Sequence, residues 1–319
     1  MLHWFKRFTS TSLLGVAISL SACGGGDEVH LGNVVDTAKA DPQFSILVEA
    51  VTAADASVAA ALTGAGPLTV FAPTNNAFAA LLAELGVTKA QLLADKALLT
   101  QVLTYHVLGS RVAKAQVPAG KAITTLQGGI FKVDAVGSDL VITDGRNRTA
   151  KIIATDIATS NGVIHAIDRV LLPPNRNIVQ TAQALAAGNP AQFTVLVDAV
   201  VAANLATTLS GNGPFTLFAP TDAAFTALLA ELGVTKAQLL ANTALLTKVL
   251  TYHVVPARVL KAEVPLAAPI TSVQGEIFSV SAGLAITDQR GRSANITATD
   301  TLASNGVIHV IDKVILPKP

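Results

Sequence analysis

One cysteine in 319 residues excludes any disulfide within the chain. Aromatic side chains make up 4% of it, with one tryptophan and two tyrosines, so it is poor in the flat surfaces on which sugars usually stack. Neither charge dominates: 22 Lys and Arg stand against 21 Asp and Glu, which argues against nucleic acid as a partner, since that needs a strong positive field. The apolar run near the start, residues 13–20, falls well short of the roughly 20 residues that span a bilayer. What remains is a chain 51% hydrophobic, which predicts cores filled by Ala, Val, Leu and Ile.

The first residues read as an export signal. Lys6 and Arg7 precede the short apolar run, and small residues follow it. Leu20-Ser21-Ala22-Cys23 resembles a bacterial lipobox, and the chain's single cysteine stands where a lipobox places its lipidated residue. The expected layout is a signal peptide over 1–22, then lipidated Cys23 and a flexible tether over 23–30, rich in glycine. This places the protein in the cell envelope, held to a membrane by lipid. Gly24 follows the cysteine rather than an aspartate, which points to the outer membrane, facing periplasm or cell surface.

The rest of the chain repeats itself. Residues 71–108 match residues 218–255 at 31 of 38 positions, at an offset of 147. Residues 160–173 match residues 304–317 at 11 of 14, at an offset of 144. The three-residue difference falls between Asp134 and Asp139. The period is that of a whole domain, not a solenoid unit. The expected division is domain 1 over 31–173, a linker at 174–176 and domain 2 over 177–319, with each half able to fold alone.

Within each copy, helical periodicity comes first and strand alternation later. Residues 44–51 predict a helix and residues 68–72 a short buried strand ended by Pro73. Thr74 is placed to cap a helix with Phe78, Leu81, Leu82 and Leu85 on one face and Gly86 at its end. Thr88 caps a short helix, and another covers about 96–104. Strands follow at 130–133, 140–142, 150–154 and 163–172, with Asp144-Gly145 as a hairpin turn. This order predicts an α+β fold rather than alternating βαβ units.

Thr69-Val70-Phe71-Ala72-Pro73-Thr74-Asn75-Asn76-Ala77-Phe78 resembles the first box of the fasciclin (FAS1) domain. Tyr105-His106 resembles its central Tyr-His motif, and Asn161-Gly162-Val163-Ile164-His165-Ala166-Ile167-Asp168 its second box. Copy two repeats all three, at 216–225, at Tyr252-His253, and at 305–312 with Asn305, His309 and Asp312. The resemblance implies two tandem domains, each a β-wedge sheet with flanking helices. It also implies adhesion outside the cytoplasm, by binding a cell-surface or extracellular protein, matrix or polysaccharide. The chain has no Arg-Gly-Asp, so nothing supports integrin binding. The motif residues Tyr105, His106, Asn161, His165, Asp168 and their repeats are expected to serve structure or partner contact.

Chemistry finds little support. Ser160, His165 and Asp168, repeated as Ser304, His309 and Asp312, have the composition of a hydrolase triad. On a strand, however, His165 and Asp168 face opposite ways and stand ~10 Å apart, beyond hydrogen-bond reach. The chain is therefore read as no enzyme, with Asp168 pairing a neighbouring donor. The histidines lack metal-ligand spacing, so neither metal nor cofactor is expected. Arg146 and Arg148, with Arg290 and Arg292, read as solvated hairpin tips. Contact residues are sought where the copies differ: Lys132, Asp134 and Asp139 against Ser279 and Ser281. The alternative to surface adhesion is a small-ligand or polysaccharide binder with a polar pocket.

Overall fold

The computed structural model describes residues 31–189 and 191–319, and residues 31–319 form one compact unit. The signal, Cys23 and the tether lie outside the described residues. The first module runs α1 (Val34–Ala40), α2 (Ser45–Ala53), α3 (Ala56–Thr63), β1 (Leu68–Pro73), α4 (Asn75–Leu85), α5 (Lys89–Ala94), α6 (Lys96–Tyr105), then β2 (Val107–Leu108), β3 (Ala122–Thr124), β4 (Ile130–Val136), β5 (Asp139–Thr143), β6 (Thr149–Thr159) and β7 (Gly162–Ile167). The second repeats this order as α7 (Ile178–Ala186), α8 (Thr194–Ala202), α9 (Ala206–Leu209), β8 (Phe215–Pro220), α10 (Asp222–Leu232), α11 (Lys236–Ala241), α12 (Thr243–Tyr252), β9 (Val254–Val255), β10 (Pro269–Thr271), β11 (Ile277–Val280), β12 (Ala285–Thr287), β13 (Ser293–Ala303) and β14 (Gly306–Ile311). Each module is α+β, with a nearly closed seven-stranded sheet and flanking helices.

The strand order in module one is β2-β1-β7-β6-β5-β4-β3, and module two repeats it. All neighbours are antiparallel except β1 and β7, which pair in parallel one strand in from the β2 edge. Parallel strands need cover on both faces, and β7 and β1 are buried throughout. Alternation then sorts their side chains into two cores. Val70, Ala72, Ile164 and Ala166 face the helices. Phe71 and Ile167 face the curled half of the sheet, with Tyr105, Phe131 and Ile142. The sparse aromatics are shared between the cores, Phe44 and Phe78 on the helix side and Phe71, Tyr105 and Phe131 on the other, where Phe71 meets Phe131 edge-on at 5.1 Å, and Phe218 meets Phe278 at 5.2 Å. The rest of that core is Val, Leu, Ile and Ala, as composition suggests.

The expected caps are present. The Thr74 hydroxyl accepts from the Ala77 amide, Thr88 and Gln91 form a capping box, and Gly86 ends α4 with a φ of 65°. Helices α1 and α3 and the short strands β2 and β3 were not foreseen. Alanine-rich segments such as 56–63 show weak periodicity, and strands of two or three residues carry almost none.

One strand is shorter than expected. Residues 163–172 read as continuous strand, but β7 stops at Ile167. Beyond it, the buried segment 170–172 is held by side chains in place of a sheet partner. The Leu171 amide donates to His106 Nε2 at 2.9 Å, the Leu172 amide to Asp144 at 3.0 Å, and the Val170 carbonyl accepts from Arg148. Sequence alone could not separate the two, because an extended buried chain has the same apolar character whichever groups bond it.

Candidate functional site

The repeated motif residues lie inside the fold. Tyr105 is fully buried and its hydroxyl donates to the Ile130 carbonyl; Tyr252 does the same to Ile277 at 2.8 Å. Burial pushes both phenols well above their ordinary range, so they remain protonated donors. His106 Nδ1 donates to the Val102 carbonyl at 2.7 Å, one turn back in α6, which leaves Nε2 as acceptor for Leu171. His253 repeats this with Val249 and Ile315. Burial holds both imidazoles down at about 4, and so neutral.

His165 uses the opposite tautomer. Its Nδ1 accepts from the Asp156 amide at 3.2 Å, and its Nε2 donates to the Val112 carbonyl at 2.8 Å. Asp156 sits at an irregularity in β6, in left-handed conformation with a φ of 60°. A bulge leaves an amide without a ladder partner, and His165 supplies one. Thr69 completes the clamp: its hydroxyl donates to Ser110 and accepts from Val112. In copy two, His309 takes the Asp300 amide and Val259 carbonyl, and burial lowers its pKa.

Asn161 ties three segments together. Its Oδ1 accepts from the Val34 amide at the start of α1, and its Nδ2 donates to the carbonyls of Leu62, in the last turn of α3, and Gly64, just past its end. Asn305 does the same for Ile178, Leu209 and Gly211. Asp168 accepts from the Lys151 amide at 2.7 Å, and Asp312 from Asn295. The grouping of Ser160, His165 and Asp168 does not assemble: both nitrogens of His165 are engaged by backbone and Asp168 by Lys151. Among the described residues, no group of three His, Cys, Asp or Glu is placed to hold a metal ion.

The arginine hairpins are not free solvated tips: Arg146, Arg148 and Arg292 are partly buried, and only Arg290 stays exposed. The buried Asp144 carboxylate accepts from the amides of Arg146 and Arg148 and from Arg148 Nε at 3.1 Å. Arg148 reaches on to Glu84 on α4 at 2.8 Å. Hairpin, helix and the 170–172 segment are thus locked together. Asp288 repeats the role for Arg290, Arg292 and Leu316. Sequence reasoning passed over Asp144 as a turn residue; its burial is the signal it lacked.

The modules meet through a junction that the differences between the copies build. Ile130, Leu260, Leu302 and Val307 share one buried apolar cluster. Lys132 Nζ lies 3.0 Å from Asp300 and 3.0 Å from Asp134. Burial alone would lower that ammonium, but the two carboxylates outweigh it and hold it above its ordinary value. Asn147 accepts from the Leu302 amide at 2.6 Å and donates to its carbonyl at 3.0 Å. It therefore caps β13 where no strand pairs on that side. Lys132 is not a free contact residue; it is spent inside the molecule. Asp139 pairs with Lys151 at 3.1 Å.

Comparison with known proteins identifies the family. The fasciclin domain family matches residues 42–173 and 191–317. Protein sll1483 of Synechocystis is 44% identical over 146 residues, 44% of this chain and 73% of that one. Transforming growth factor-beta-induced protein ig-h3 of Sus scrofa is 29% identical over 257 residues, 80% of this chain but 35% of that protein. A FAS1 domain pair from the insect cell adhesion molecule Fasciclin I aligns with a TM-score of 0.41 at 20% identity, over 84% of this chain and 95% of that one. This chain belongs to the fasciclin domain family and carries the domain twice.

Proposed function

We propose that the protein is an adhesion or protein-interaction lipoprotein of the bacterial envelope, acting by surface contact through its two fasciclin modules. One observation carries this reading. The polar groups of the motif residues are engaged within the fold: the tyrosine hydroxyls, both nitrogens of each motif histidine, and the side chains of Asn161 and Asn305. They hold the scaffold, and what the scaffold offers a partner is its outer surface. Family membership supports adhesion. Cys23 and the tether, if acylated and displayed as the lipobox resemblance implies, supply the anchor. No helix among the described residues is long and apolar enough to cross a membrane. We place the domain boundaries at 31–173 and 177–319, joined by 174–176.

The test uses fluorescent protein beginning after Cys23, added to intact cells, matrix preparations and polysaccharides. Saturable binding to a cell-surface or matrix fraction is the expected result. An absence of saturable binding, or turnover of an ester library that is lost on changing Ser160 and Ser304, overturns the reading. The anchor is tested separately. Wild type should take up a fatty-acid label and Cys23→Ser should not; equal labelling removes the lipoprotein assignment.

A further inference from the structure

Where the modules meet, a polar cavity of 230 Å³ opens beside the linker. Module one lends it Arg146 and Asn147 from the β5–β6 turn. The linker lends Asn175 and Arg176, and α7 lends Thr181 from its first turns. No carboxylate lines it.

The two arginines are left with charge to spare. Arg148, next to Arg146, is neutralised by Asp144 and Glu84. Among the described residues Arg146 and Arg176 take part in no ion pair. The Arg146 side chain makes only a 3.4 Å bond, from Nε to the Pro173 carbonyl, and Arg176 engages the fold through its backbone carbonyl, which accepts from the Ser304 amide. Burial first, then the positive charges of Arg148 and Arg176, lower the Arg146 pKa, and the carboxylates of Asp144 and Glu84 behind it offset this only in part. Guanidinium groups match the geometry of carboxylate, sulfate and phosphate through paired N–H donors. The Asn175 amide and the Thr181 hydroxyl add neutral donors to the same walls. Copy one has no counterpart: its Ser160 amide bonds the Gly32 carbonyl where Ser304 bonds Arg176, so the equivalent position there carries no charge. The arrangement belongs to the junction alone.

We infer that this cleft between the modules binds a small oxyanion, a carboxylate, sulfate or phosphate group, held by Arg146 and Arg176 with Asn175 and Thr181. The cavity has room for one such group and its immediate carrier, such as a single acidic sugar residue. This goes beyond surface adhesion and does not depend on it, because the ligand is tested as a small ion.

The experiment is a titration of the two-module protein with sodium sulfate, inorganic phosphate and sodium glucuronate in turn, at ionic strength held constant with chloride. Binding is followed by backbone amide chemical shifts. Saturable shifts are expected at Asn147, Arg176 and Thr181, with at least a tenfold weakening in Arg176→Gln. Arg176 is exposed and bonds the fold only through its backbone, so this variant tests the site without risking the fold. Arg111→Gln, at an exposed arginine outside the cleft, should bind as wild type does. Preference for glucuronate over the inorganic ions would assign the group to an acidic sugar, and the reverse preference to a free or esterified inorganic anion. Linear, unsaturated shifts with all three salts, or saturation unchanged in Arg176→Gln, overturns the inference.

Discussion

At the residue scale, the motif histidines make stability depend on pH. Folded, His106 and His253 take up a proton only at about 4; unfolded, at their ordinary 6.5. Between these values the unfolded chain binds more protons, so stability falls as pH drops from 6.5 towards 4 and levels off below. Above 6.5 both states are neutral and this contribution is constant. Melting curves from pH 7 to pH 4 should show the loss, and His106→Ala with His253→Ala should flatten it. An unchanged slope would assign it to carboxylates. At pH 7 each substitution should cost roughly 1–3 kcal/mol, the range for leaving buried partners unsatisfied. Asn161 offers a sharper test. Asn161→Asp keeps the shape but sets an oxygen against the Leu62 and Gly64 carbonyls in place of a donor. It should destabilise more than Asn161→Ala in denaturant melts, although alanine removes more atoms.

At the scale of elements, the β5–β6 hairpin does more than turn the chain. Asp144 closes it, Arg148 ties it to α4, and Gly145 lets the linker pass. A Cβ on Gly145 would stand 2.3 Å from Pro174 Cδ, with the Pro174 nitrogen equally near. Neither is a flexible side-chain end, so the linker has to move. Gly145→Ala should therefore lower the melting temperature and shift the amide resonances of 174–176. A variant that melts as wild type does would show that the linker is not held there. Gly86 is the contrasting case. It has open space around it, and only its positive φ resists substitution. Gly86→Ala should cost about 1 kcal/mol and disturb nothing at a distance.

For the whole molecule, sequence differences between near-identical copies acquire a reason. Ile130 is 2% exposed against module two, whereas its counterpart Ile277 is 42% exposed. Lys132 and Asn147, which reach Asp300 and Leu302, are replaced in copy two by Ser279 and Gly291. On the receiving side, Leu260 and Leu302 are Ala113 and Ala158 in copy one. The surfaces fit in one direction only, so a junction forms once and does not propagate into an open array. Lys132→Met leaves the Asp300 carboxylate buried without its cation, which should cost about 3 kcal/mol at the junction. Calorimetry should show the wild-type transition broadening or splitting in this variant. The separate pieces 31–173 and 177–319 should each melt cooperatively, because each keeps both of its cores, but below the intact chain. Failure of both to fold would make the modules one interdependent unit.

The order of elements, the capping threonines, the stop at Gly86 and the duplication were legible in the chain because each depends on residues close in sequence or on periodicity. So was the family, because its three boxes are contiguous strings. The residues within those boxes were legible only as structural or partner contacts, with Asp168 expected to pair a neighbouring donor; what each one holds was not. His106 and His165 look alike in sequence, yet one holds a strandless segment and the other fills a bulge, with opposite tautomers. Asp144 reads as a turn former until its partners 28 residues later arrive. Lys132 reads as an exposed difference until module two covers it. Local propensity and pattern were enough to place the longer helices and strands, though not α1, α3, β2, β3 or the end of β7, while hydrogen bonds between distant segments, and the burial that makes them count, exist only once the chain has folded back on itself.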